Sequence, residues 1–213
     1  MGAPEFLFLL QGLKWTVLLS AIGFVGGGIV GLLVALARTS GQPLLERGTA
    51  AYIALFQGTP LLMQLFVVYY GLALVGLELE SWQAVAIGFT ANSSAFLGDI
   101  WRGSIEAVPK GQTEAAKALS LSYVSRMRDV ILPQAIQISL PATVGFLVQL
   151  IKGTSLASIV GFTELARAGN IVSNQTFKPL LVYAVIGVMY FALCWPLSLL
   201  GSWLERRIAA PTR

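Results

Sequence analysis

The chain has 213 residues, 56% of them hydrophobic and 11% charged, with a formal net charge of +4 and a mean hydropathy of +0.76. Soluble domains usually carry about twice that charged fraction, so lipid rather than water is the expected solvent for much of the surface. With no histidine and one cysteine, Cys194, an intrachain disulfide, a Cys/His zinc site and a histidine-based triad are excluded.

A helix needs roughly 20 apolar residues to cross the hydrocarbon core. The first uncharged run, Trp15 to Ala37, lies between Lys14 and Arg38 and predicts a span over about 15–37. Ala35-Leu36-Ala37 resembles a leader cleavage site, but Arg38 follows at once and the run is too long, so a retained helix is expected. Gly23, Gly27 and Gly31 recur every four residues, a stripe that lets another backbone approach closely in lipid. A seam inside the subunit is favoured over a subunit contact.

The second run, Gly48 to Leu77, predicts a span over about 50–77 and carries Gln57, Thr59, Pro60 and Gln64. Proline frees a backbone carbonyl that can line a cavity. The third, about 81–99, carries Asn92 and Ser93 and ends at Asp99. At 1.5 Å per residue, Gln57 and Asn92 reach similar depth, about 14–15 Å from opposite ends of their spans. Polar groups at that depth are candidates for a solute route, with interhelical hydrogen bonding as the bland alternative. Gln64 reads as packing, and Asp99 as a partner for Arg102 three residues on.

A polar stretch over about 109–130 follows. Pro109, Gly111 and Thr113 can start a helix, and Glu114 to Leu119 are all good helix formers. Ser122 can cap a second short helix through Asp129, which Leu132-Pro133 should end where the next span begins. That span, about 131–152, brings Gln149 and Lys152, then Thr154 and Ser155. Glu164 comes after the chain turns, and a last span covers about 180–204. The sum is an all-α integral membrane protein of five spans in a single domain.

With the N-terminus outside, the inner segments hold Arg38, Arg47, Arg102, Lys110, Lys117, Arg126, Arg128, Arg206, Arg207 and Arg213, ten of the fourteen basic residues. The positive-inside bias selects this orientation and puts residues 109–130 in the cytoplasm. Membrane lipid, rather than nucleic acid, is the partner this charge distribution implies.

Glu114-Ala115-Ala116, Ser120 and Ile131-Leu132-Pro133 stand in the order of a cytoplasmic signature. Gln57-Gly-Thr-Pro-Leu-Leu, Arg102-Gly-Ser-Ile, Gly111-Gln112, Lys152-Gly-Thr-Ser-Leu, Glu164-Leu165 and Leu204-Glu-Arg-Arg accompany them from about residue 10 to 207. This ordered set resembles the membrane-spanning permease subunits of bacterial ABC importers, in their polar amino-acid branch (histidine-, glutamine- and arginine-type).

The resemblance implies the type I importer permease fold in the bacterial inner membrane. It also implies an ABC ATPase dimer as partner, a second permease subunit, an extracytoplasmic substrate-binding protein and an amino-acid cargo. Glu114, Ala115, Ala116, Leu119, Ser120, Leu132 and Pro133 would form the coupling elbow that docks on the ATPase. The substrate path would draw on Gln57, Thr59, Asn92, Ser93, Gln149, Lys152, Thr154, Ser155 and Glu164.

Two positions depart from the pattern. Ser120 stands where the signature has glycine, and Gly153 stands where relatives often carry an acid. The chain has no phosphate-binding loop of the Gly-x-x-x-x-Gly-Lys-Ser/Thr type, so ATP and magnesium are expected on the ATPase, and no cofactor and no catalysis in this chain. The alternative is an ion-coupled secondary transporter or channel. It would call for several acidic residues inside spans, and only Asp99 borders one.

Overall fold

The computed structural model describes residues 2–209; Met1 and residues 210–213, among them Arg213, lie outside it. Among the described residues every regular element is helical. In chain order they are α1 (Ala3–Arg38), α2 (Pro43–Gly58), α3 (Leu61–Phe66), α4 (Leu72–Leu74) and α5 (Ser81–Glu106). Then come α6 (Lys110–Ala118), α7 (Tyr123–Arg126), α8 (Leu132–Gly153), α9 (Leu165–Thr176) and α10 (Pro179–Ala209). Wide π turns join α3 to α4 and α7 to α8, and a 3₁₀ segment, Thr154–Val160, follows α8.

Three stretches, Ala3–Arg38, Tyr123–Val160 and Pro179–Ile208, are each long and apolar enough to cross a membrane, and the bent pair Pro43–Gly58 with Leu61–Leu74 makes a fourth if counted as one. The chain is a multi-pass membrane protein. α5 has 26 residues, or about 39 Å, but Asn92, Ser93 and Ser94 make it less apolar. They are buried because α5 is the central helix, packed on α1, α2, α3 and α8.

The first helix begins at Ala3, well before the expected Trp15, and carries exposed Lys14 within it. A lysine stem can lie along apolar surface while its ammonium reaches water. The second expected span is not one rod. Thr59 is extended (φ −118°, ψ 141°), as a residue before proline prefers, and the helices on either side of the break are bent by 104°.

Nor does Leu132-Pro133 end a helix. The π turn Met127–Ile131 carries α7 directly into α8, and Pro133 falls in the first turn of α8. The widened turn leaves room for the proline ring, so the helix runs on past the one N–H that proline lacks.

α1 lies along α5 through the glycine stripe, which is therefore a seam within the chain. A Cβ at Gly23 would stand 2.8 Å from the Phe89 Cβ, and one at Gly31 would stand 3.0 Å from the Ser94 carbonyl oxygen. At Gly27 it would collide with the Ser93 side chain. Leu19, Leu65, Phe89, Leu97, Phe146 and Leu150 form the main core among α1, α3, α5 and α8. Leu9, Leu165, Ala168, Val172, Val182 and Ile186 form a second core, clamping α9 between α1 and α10.

Gly27→Leu should therefore lower the thermal unfolding midpoint of the detergent-solubilised protein sharply, since overpacking against backbone costs 1–3 kcal/mol or more. Gly187→Leu, at a helical glycine with no neighbour within 4 Å, should leave the midpoint nearly unchanged.

Candidate functional site

The break between α2 and α3 generates the site. Pro60 has no N–H to donate, so carbonyls at the end of α2 lose their helical partners. Gln64, one turn into α3, takes them: its Nε2 donates to the carbonyls of Phe56 (2.8 Å) and Thr59 (3.0 Å) and to the Thr59 hydroxyl (3.0 Å). Its Oε1 accepts from Asn92 Nδ2 at 2.9 Å, which ties the broken helix to α5. Tyr52 adds a second tie, its hydroxyl donating to the Ala91 carbonyl at 3.0 Å.

The sequence reading of Gln64 as packing thus needs correction: it is the hub of the break. The pairing of Pro60 with a buried amide four residues later was the available signal.

Beside the break lies a cleft of about 470 Å³ between α3, α5 and the end of α8. Its polar wall is Thr59, Asn92, Gln149, Lys152 and Ser155, and Phe96 and Phe146 line it as a stacked pair with centroids 5.5 Å apart. Gly153 also lines it, and among the described residues no carboxylate does. One ammonium and several amide and hydroxyl groups against stacked rings can hold a small polar solute bearing an anionic group, by charge-assisted hydrogen bonds.

Four of the residues expected along the path lie elsewhere. Gln57 donates to Asp99 Oδ2 at 3.2 Å, and Asp99 also accepts from Arg102 at 2.8 Å, so the expected Asp99–Arg102 pair is present. Ser93 is fully buried behind α5 against Gly27, where the glycine stripe leaves room only for a small side chain. Thr154 is fully buried and bonds back to the Ile151 carbonyl at 2.7 Å.

Glu164 is fully buried, outside the cleft, because its carboxylate caps α9. Its two oxygens accept from the N–H groups of Ala166 and Arg167, each at 2.8 Å, and from the Tyr190 hydroxyl at 2.9 Å. Burial raises its pKa above the ordinary carboxylate value, opposed by these hydrogen bonds. A carboxylate so occupied has little left to offer a solute.

On the other end of α8 is the elbow. Glu114 and Ala115 are exposed on α6, as is Leu119 just after it, and Ala116 is buried. The turn after α6 is a Schellman motif: Leu121 N–H bonds to the Ala116 carbonyl at 3.1 Å and Ser120 N–H to the Lys117 carbonyl at 2.9 Å. That geometry places the closing residue in the left-handed region, and Ser120 has φ +56°. The serine therefore adopts the glycine-type turn and carries its strain. Ser122 caps α7, accepting from Ser125 N–H at 3.2 Å.

The sequence pattern described as binding-protein-dependent transport system inner membrane component matches residues 27–210. This chain belongs to that family. It is 36% identical over 209 residues to the probable amino-acid ABC transporter permease YckA of Bacillus subtilis, covering 98% of this chain and 92% of the relative. It is 35% identical to the probable glutamine ABC transporter permease GlnM of the same organism, covering 96% and 94%. Among solved structures, an amino acid ABC transporter with histidines matches with a TM-score of 0.87 and 34% identity over 94% of each chain. The inward-facing MetNI methionine ABC transporter matches with a TM-score of 0.75 at 22% identity, over 98% of this chain and 100% of that one, a likeness of fold. The family read from the Glu114-Ala115-Ala116 signature and its companions is thus borne out.

In this protein, Gln64→Leu should cost about 2 kcal/mol or more in stability, because two carbonyls and an amide lose their partner in a buried place. Gln57→Leu, which leaves Asp99 paired with Arg102, should cost under about 1 kcal/mol; thermal unfolding of the two variants side by side checks the difference. Ser120→Gly should raise the unfolding midpoint, by the equivalent of about 1 kcal/mol, by removing a left-handed β-carbon.

Proposed function

We propose that this chain is the permease subunit of an ATP-driven importer for polar amino acids or close analogues, crossing the bacterial inner membrane five times with its N-terminus outside. A substrate-binding protein delivers cargo on the outer side. Two permease subunits, identical or homologous, form the path, and an ABC ATPase dimer, which holds the ATP and magnesium, receives the elbow Glu114–Ser120 from below.

The observation that carries this reading is mechanical. One continuous helical rod, α7 through α8, runs from Tyr123 beside the elbow to Gly153 in the cleft. Force applied to the elbow moves Leu132 and Pro133 at one end of α8 and Gln149 and Lys152 at the other. Rigid-body motion of this kind switches a cleft between two sides of a membrane. Within the cleft, Lys152 pairs with the cargo's carboxylate, and Thr59, Asn92, Gln149 and Ser155 supply hydrogen bonds.

An ion-coupled route is not favoured. Asp99 is engaged by Arg102 and Gln57, and Glu164 by its cap and Tyr190, so neither carboxylate stands ready as a relay.

The test is reconstitution in proteoliposomes with the ATPase and the binding protein. Glu114→Arg should lower ATP-driven uptake at least tenfold, since a reversed charge in a docking groove is left buried and unpaired. Unchanged uptake in that variant, or uptake driven by an ion gradient in the isolated chain, would overturn the reading.

A further inference from the structure

Away from the cleft, α1, α5 and α8 enclose a second hollow of about 480 Å³. Val25, Ile29 and Leu32 of α1, Ile105 of α5, and Ile136 and Leu140 of α8 line it. All but Ile105 are exposed to the surroundings of the chain. The polar groups in its wall are already satisfied: Trp101 Nε1 donates to the Thr143 hydroxyl at 3.0 Å, and the Ser139 hydroxyl to the Ile136 carbonyl at 2.9 Å. Trp101 lies nine residues beyond Asn92, about two and a half helical turns, so the hollow opens on the opposite side of α5 from the cleft. Along α8 it extends from Leu132 to Thr143, roughly 16 Å.

At its basic end this hollow joins a polar depression. Ile105 lines both, and Ile131 of the depression adjoins Leu132 of the hollow. The depression carries Arg38 from the end of α1 and Arg126 from the end of α7, together with Glu46 and Glu106. Both carboxylates are engaged elsewhere, Glu106 with Arg102 at 2.6 Å and Glu46 with Gly41 N–H at 3.0 Å. Arg38 and Arg126 have no carboxylate partner among the described residues. Arg126 lies over the Tyr123 ring at 5.4 Å, which positions its guanidinium.

We infer that this composite groove binds one anionic glycerophospholipid, its phosphate between Arg38 and Arg126 and an acyl chain in the aliphatic hollow. Two guanidinium groups with no ion-pair partner among the described residues sit at the mouth of a channel that holds nothing a polar solute would need. A zwitterionic headgroup would bring its own ammonium against the guanidinium pair, so the site prefers net negative lipid. The inference rests on the orientation proposed above only in assigning the lipid to the inner leaflet. It concerns a different face of the protein from the transport path.

The test uses the whole importer complex in membranes of phosphatidylglycerol and phosphatidylethanolamine, released in mild detergent, with bound lipid counted by native mass spectrometry. Phosphatidylglycerol should be retained in preference. The pair Arg38→Gln with Arg126→Gln should lower that retention roughly tenfold or more, and the pair Arg38→Lys with Arg126→Lys should keep most of it. Ile136→Trp, which fills the hollow and spares both arginines, should also lower it. Undiminished retention in both the glutamine pair and Ile136→Trp would overturn the inference. So would displacement by inorganic phosphate, which marks a free-anion site, or a disulfide between two copies at Ile29→Cys, which marks a protein occupant. ATP-driven uptake is read separately, so loss of lipid retention and failure of the transport assignment are distinguishable.

Discussion

A chain in lipid must satisfy its backbone polar groups from within, because no water is at hand to take them. This protein breaks a helix at Thr59–Pro60 and meets that constraint with one side chain. Gln64 gives its amide hydrogens to the carbonyls that the proline released, and its oxygen accepts from Asn92. The break is thereby held at a fixed angle and fastened to the central helix. Without that bond network the wall that carries Thr59 and Leu61 into the cleft would have no reason to stand where it does.

The central helix can play this part because it is reached closely from both sides. Small residues on α1 let the two backbones approach, and Ser93 and Ser94 fit where larger side chains would not. Burial then removes α5 from lipid and accounts for its polar middle, which would be costly on a lipid-facing rod. On the far side, Phe146 stacks on Phe96 and brings the end of α8 to the cleft. Packing of small residues, rather than hydrophobic pressure, sets the spacing.

α8 connects two environments. At one end its Gln149, Lys152 and Gly153 face the cleft; at the other it runs through a π turn into the elbow. The elbow closes with a serine in a left-handed turn, a conformation that costs about 1–2 kcal/mol relative to glycine. Ordered backbone bonds from Ser120 and Leu121 to α6 hold it there. Helical structure is continuous along this rod from Tyr123 to Gly153.

Composition and the spacing of uncharged runs were enough to determine an all-helical membrane chain, because lipid imposes length and polarity on whole segments; its family was legible only in the ordered motifs from Gln57-Gly-Thr-Pro to Leu204-Glu-Arg-Arg. The Asp99–Arg102 pair and the cap at Ser122 were also legible, since both are local to one helix turn. Tertiary structure alone decided the bend of the second span, the hub role of Gln64, and the removal of Ser93, Thr154 and Glu164 from the cleft. Each depends on which distant backbone a side chain meets: Ser93 on Gly27, Glu164 on α9 and Tyr190. Spacing along a sequence fixes depth in the bilayer and leaves open which way a helix turns, and that rotation sorted the polar residues into those lining the cleft and those holding the fold.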